Sequence, residues 1–282
     1  MELKNPKAEI FVPDGLPADE ALARATHMCI GAHPDDVEIM AWRGILECFQ
    51  QKDKWFAAVI VTDGAGSPRD DLYADYTNED MIEVRKVEQK KAAFVGEYAA
   101  SVLLQYPSSA VKDKDNPDVV EDLRTVLELA QPQKVYIHNL ADKHATHVAS
   151  ALRSIAAMRQ MPADARPQEV YGVEVWRDLD WMCDDDKVCF DVTAHDNLAL
   201  SLLGIYDSQV CGGKRYDLAT MGRRRAHATY QATHEVDVSE GMIFAMDLTP
   251  LIKDESLDIA QFVLEHIERF KAEVADNIGG ML

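Results

Sequence analysis

Short apolar runs rich in β-branched residues alternate along this chain with longer segments of helical period, and that alternation leaves few folds open to it. The runs His27–Ala32, Phe56–Thr62, Ser101–Gln105, Lys134–His138, Val170–Trp176 and Val188–Val192 read as strands. Helices are expected over Val37–Lys52, Asn78–Gly96, Pro117–Leu129, Thr146–Arg159, Asp196–Asp207 and Leu257–Ala275. Strands separated by helices imply a parallel sheet with crossover helices, an α/β fold. No repeat or linker divides the 282 residues, and a 47% hydrophobic composition is enough for one core, so residues 1–282 read as one domain. After about Asp207 the pattern loosens into the basic stretch Lys214–Arg225, read as part of a lid or subunit-contact segment over about 211–282. That stretch attracts an anionic substrate or, the simpler reading in so acidic a chain, makes ion pairs within the protein.

Charge and apolar run length exclude whole classes of partner. Forty-nine acidic against 29 basic side chains give a formal charge of −20, which repels phosphate backbones and anionic lipid, so no nucleic-acid partner is expected. The longest apolar run, in Phe56–Val61, falls far short of the ~20 residues that span a bilayer, so no membrane span is expected. The N-terminal residues lack the apolar core of a signal peptide, and the five cysteines form no CxxC pair. Both features predict a reducing, cytoplasmic address.

In an open α/β sheet, ligands bind beyond the carboxyl ends of the strands. Three polar clusters fall there: His33-Pro34-Asp35-Asp36, Asp63-Gly64-Ala65-Gly66, and His138 through His147. Zinc takes neutral imidazole and carboxylate, typically three protein ligands with one position left for water. His33 and Asp36 would supply two such groups and His147 could complete the triad; of the two acids and of the His144/His147 pair, one member can bind metal while the other transfers a proton or faces the substrate. The plain alternative is that Asp35 or Asp36 caps the following helix. Arg85 contacts substrate, orients a carboxylate, or simply pairs with Glu88 on its own helix face. Asp63 makes a turn with Gly64 and is a secondary substrate-binding candidate. Trp176 and Trp181 follow a strand end, where an indole can stack on a sugar ring.

The segment Ala32-His33-Pro34-Asp35-Asp36-Val37-Glu38 resembles the AHPDD(x)E signature of the PIG-L/LmbE family of zinc-dependent N-deacetylases. The resemblance runs over about residues 26–210, taking in Val61-Thr62-Asp63-Gly64, Val84-Arg85 with Glu88, His138-Asn-Leu-Ala-Asp142-Lys-His144-Ala-Thr-His147, and Ser208-Gln209. It implies a Rossmann-like sheet with helices on both faces and an extended C-terminal segment. It also implies His33, Asp36 and His147 as zinc ligands, Asp35 as general base, and His144 as oxyanion stabiliser or acid. Zinc is the expected metal, with ferrous iron also compatible with this donor set. The expected substrate is a small N-acylated molecule, an amino sugar or related metabolite, and the expected assembly a homo-oligomer, trimer or hexamer. The chain departs from the pattern where Ala145 and Thr146 stand in place of Pro and Asp. The absent aspartate would tune the catalytic histidine, a task left to Asp142 or Asp63.

Two other classes remain. Another small amide is a possible target, and so is a non-catalytic Rossmann-like binding role. The first strand–helix turn has no G-x-G-x-x-G, which counts against a nucleotide as the ligand.

Overall fold

The computed structural model describes residues 1–282. Eight strands form one sheet: β1 (Glu9–Phe11), β2 (His27–Gly31), β3 (Phe56–Thr62), β4 (Ala100–Tyr106), β5 (Lys134–His138), β6 (Glu169–Val173), β7 (Lys187–Asp191) and β8 (Met242–Asp247), in the order β1-β4-β3-β2-β5-β6-β8-β7. The central run β4-β3-β2-β5-β6 is parallel. The outer strands β1, β8 and β7 join antiparallel, so the all-parallel expectation holds at the centre and gives way at both edges.

Every residue of β2, β3 and β4 is buried, as expected for strands covered on both faces. Their side chains alternate between two cores. Met28, Ile30, Ala57 and Val59 point into one, and Cys29, Ala58 and Ile60 into the other. Helices Asp118–Ala130 and Ala145–Gln160 close the first face, and helices Trp42–Cys48 and Asn78–Val95 the second.

The C-terminal third is built into this frame. Strand β8 lies between β6 and β7, and helix Tyr216–Tyr230 packs against it. No helix is long and apolar enough to cross a membrane.

The helix expected over Val37–Lys52 is broken at Ala41 into Asp36–Met40 and Trp42–Cys48. Arg224 supplies the reason, since its guanidinium donates to the carbonyls of Glu38 and Ile39 at 2.9 and 3.1 Å and occupies acceptors near the end of the first piece. Burial lowers its pKa to about 9.

At the opposite edge of the sheet, Glu47 lies 2.8 Å from His27 Nε2, 2.7 Å from Arg43 Nε and 3.1 Å from Lys134 Nζ. The His27 bond leads these contacts in holding its carboxyl well below the ordinary value of 4.5, against the effect of burial. A depressed carboxylate pKa adds stability above the unfolded value and loses it as pH falls. Glu47→Gln is therefore expected to lower unfolding free energy at pH 7 by on the order of 1 kcal/mol, discounted for solvent screening. Urea titrations of both proteins should converge as pH falls below about 4.5; a gap that stays constant with pH would contradict the ion cluster as its source.

Candidate active site

Because the central strands are parallel, the chain leaves β2, β3, β4, β5 and β6 at the same edge of the sheet. A cavity of about 540 Å³ opens there, lined among others by His33, Asp35, Asp36, Arg85, His144 and Thr146.

The turn after β2 sets the geometry. Asp35 has φ 95°, outside the comfortable range for a residue with a Cβ. The strained position sends the two neighbouring carboxylates to different partners. Asp36 folds back so that Oδ2 accepts the His33 backbone N–H at 2.7 Å. Asp35 Oδ2 accepts from Arg85 Nη2 at 3.0 Å. Arg85, itself buried, also donates to the Pro34 carbonyl and Ser67 Oγ, tying three points of the cavity wall together. Gly64, at φ 74°, leaves room for this arginine, since a Cβ there would lie 2.9 Å from Arg85 Cδ. Burial pushes the Asp35 carboxyl well above the usual carboxylate range, partly offset by Arg85 and reinforced by Asp36.

Three donor atoms converge beside this turn. His33 Nδ1 lies 3.2 Å from Asp36 Oδ2 and 3.2 Å from His147 Nε2, and the last two are 3.4 Å apart. A tetrahedral ion with bonds of ~2.0–2.1 Å holds its donors about 3.3 Å apart, so the three atoms fit such an ion without rearrangement. His147 approaches from the first turn of helix Ala145–Gln160. Its other nitrogen, Nδ1, is buried without a hydrogen bond and lies 3.6 Å from Asp142 Oδ2, a carboxylate placed to fix the ring once the two close up. Burial works against the Asp142 charge, yet His147 and the His144 amide outweigh it and hold the carboxyl below its usual range.

His138, at the end of β5, also lies close to Asp36 and His147, and these three form an alternative donor set. Its Nε2, however, is 2.9 Å from the Ala32 backbone nitrogen. A backbone N–H can only donate, so this imidazole nitrogen is an acceptor already in use. His138 is fully buried and stacks on His147 with ring centroids 3.9 Å apart, serving as the floor beneath the donor triad.

The expected site residues fall into two groups. His33, Asp35, Asp36, His144 and Arg85 line the cavity, with His147 fully buried behind them. Asp63 does not line it; its Oδ1 accepts from Ala65 N at 3.1 Å, making the turn that its Gly64 neighbour suggested. Asp142 also lies outside the lining, and its bond to this part of the chain goes to the His144 backbone at 2.8 Å. Neither aspartate hydrogen-bonds the His144 ring, so neither replaces the carboxylate missing at Thr146. The His144 Nδ1 atom is buried without a partner, and burial, then His33, lower its pKa.

Arg85 does not pair with Glu88. Glu88 instead accepts from Ser208 N and Oγ, both at 2.7 Å, which accounts for the Ser208-Gln209 motif and places Gln209 on the cavity wall. Of the two tryptophans, Trp176 lines the cavity and Trp181 packs against the core.

Residues 28–158 match the family PIG-L, GlcNAc-PI de-N-acetylase. That segment carries a PIG-L domain. The match contains every motif residue placed above except those of the C-terminal wall. Solved structures similar to this chain include the conserved protein TT1542 of Thermus thermophilus, with 16% identity, 83% of this chain and 99% of that chain covered, and a TM-score of 0.61. The 4-carboxy-2-hydroxymuconate hydratase GalB of Pseudomonas putida shows 15% identity, 79% and 96% coverage, and a TM-score of 0.60. The N,N'-diacetylchitobiose deacetylase of Pyrococcus horikoshii shows 17% identity, 81% and 87% coverage, and a TM-score of 0.57. At these identities the likeness establishes a shared fold. No curated protein sequence matches the chain.

Replacing Arg85 tests its tie to Asp35. Arg85→Met leaves a buried carboxylate unpaired and is expected to destabilise the protein by about 3–5 kcal/mol while leaving the metal donors in place. Arg85→Lys should recover part of this loss. Unfolding midpoints equal to wild type in both variants would show that the contact carries no weight.

Proposed function

We propose that this protein is a zinc-dependent N-deacetylase that hydrolyses the acetyl amide of an amino sugar or related small metabolite. The observation that carries the reading is the donor triad His33, Asp36 and His147, set at 3.2–3.4 Å spacing beside a cavity that also holds Asp35 and His144. Similarity to the PIG-L family and to a diacetylchitobiose deacetylase supports the bond and the substrate class.

When bound, zinc would supply Lewis acidity, lowering the pKa of water and polarising the acyl carbonyl. The remaining steps belong to the chain's own groups. Arg85 engages Asp35 Oδ2, which leaves Oδ1 free to take a proton from the attacking water and hand it towards the leaving nitrogen. His144 hydrogen-bonds the developing oxyanion or protonates that nitrogen. The products are acetate and a free amine.

The test is release of amine and acetate from a panel of N-acetylated sugars, before and after chelation and after zinc or ferrous iron is restored. Turnover that disappears with chelation and returns with metal is expected. Turnover indifferent to chelator would sink the proposal.

A second reading has its own support. GalB, a hydratase, shares the fold, and hydration is an addition of water that breaks no amide. Here His144 lacks a carboxylate partner, so the chain departs from the deacetylase pattern at the residue that would serve the leaving amine. Loss of ultraviolet absorbance from a conjugated unsaturated acid, without amine release from any amide, would favour hydration. No turnover of either substrate type, with ligand binding retained, would favour the binding role. Cytoplasmic location and assembly as a trimer or hexamer belong to the same proposal, the latter checked by sedimentation.

A further inference from the structure

Four cationic side chains line the cavity, Arg85, Lys112, Lys214 and Arg223, against two carboxylates, Asp35 and Asp36. The carboxylates are already engaged, Asp35 by Arg85 and Asp36 by the histidines. Lys112 has no hydrogen bond or ion pair from its side chain. Lys214 has its ammonium 5.1 Å from the centre of the Trp176 ring and no carboxylate within reach. Arg223 donates only to the Val175 carbonyl, at 2.6 Å, which leaves its charge uncompensated.

This arrangement runs against the composition. In a chain of net charge −20, a basic side chain has acidic neighbours in plenty, and others from the same stretch find them. Arg215 pairs with Asp217, and Arg225 pairs with Asp196 and Glu240. The three uncompensated cations come from separate parts of the chain, Lys112 from the short helix after β4, Lys214 from the loop after Gly213, and Arg223 from helix Tyr216–Tyr230. They meet in the same cavity as the donor triad. Positive side chains in a concave site focus the field on an incoming anion.

We propose that the substrate carries an anionic group, carboxylate or phosphate, which Lys112, Lys214 and Arg223 bind while its reacting bond faces Asp35 and His144. The inference rests on the reading that this cavity is the substrate site, and holds whichever bond is broken there.

Calorimetry on metal-free and zinc-loaded protein would compare N-acetylglucosamine, N-acetylglucosamine 6-phosphate and N-acetylmuramic acid, the last two separating phosphate from carboxylate. The metal-free arm removes any attraction of the ion itself for anions. At least one anionic sugar should bind about tenfold or more tightly than the neutral one, with the preference weakening as salt is raised. It should vanish in the Lys112→Met, Lys214→Met double variant, neither residue being a metal donor. Equal binding of neutral and anionic sugars, no detectable anion binding, or a preference that survives the double variant would overturn the inference. Anion preference without amine release would sink the deacetylase reading alone, and amine release from neutral sugars without anion preference would sink this inference alone.

Discussion

Asp35→Asn is expected to keep about one zinc per chain and to lower kcat by roughly 10²- to 10⁴-fold, the usual span for removing a general base. The substitution is nearly isosteric, and an amide oxygen can still accept from Arg85, so the strained turn at φ 95° keeps its support. None of the donor atoms of His33, Asp36 or His147 is changed. What disappears is the ability to hold a proton. The buried Arg85 is left facing a neutral amide, so a loss of stability is expected, smaller than in Arg85→Met because burial already disfavours the Asp35 charge and Arg85 keeps its bonds to Pro34 and Ser67. Zinc content by elemental analysis and kcat with the best substrate of the panel check the two halves separately. An unchanged kcat would remove Asp35 from proton transfer, and loss of zinc would move it into the metal shell.

His147→Ala is expected to do the reverse, abolishing tight zinc binding and with it all measurable turnover. It removes one of three donors and also the ring that stacks on His138. Asp142→Asn probes the same ligand from behind. If the carboxylate orients His147 through Nδ1, metal affinity should fall by about 10- to 100-fold with the protein still folded. Competition with a chromophoric chelator measures both variants. Circular dichroism separates lost metal from lost structure. Wild-type zinc affinity in His147→Ala would shift the donor set to His33 with His144, whose ligand atoms lie within 4.8 Å of each other.

The parallel centre of the sheet and the turn after β2 were legible in the sequence because their signals are local. Continuous apolar runs such as Phe56–Thr62 need burial on both faces, and the His-Pro-Asp-Asp turn puts its candidate donors within four residues. Helix Tyr216–Tyr230 was not legible because its inward face is polar. Thr220, Arg224 and His227 are buried there beside Ala228, with Arg224 capping carbonyls and His227 3.0 Å from Glu174, so the periodicity of apolar residues does not report it. Strand β1 is three half-buried residues, too short for any pattern.

Within the site, the missing information was of another kind. The rule that points to the other strand ends applies equally after the strand Ser101–Gln105, and Ser108 and Lys112 on the cavity wall follow that strand without a motif to mark them. That His138 is set aside as a metal donor in favour of His147 rests on a single contact, Ala32 N–H to His138 Nε2, made across 106 residues. Such a long-range contact has no local trace. The basic stretch Lys214–Arg225 divides between the two readings open to it, Arg215 and Arg225 making ion pairs while Lys214 and Arg223 line the cavity.

X-ray absorption at the zinc edge of metal-loaded protein tests the donor triad most directly. The expected spectrum shows about one zinc per chain in a four-coordinate shell of nitrogen and oxygen donors at ~2.0–2.1 Å, with two histidines and no sulfur. A protein that retains no zinc under metal-replete conditions, or a shell containing sulfur, would contradict a centre made by His33, Asp36 and His147.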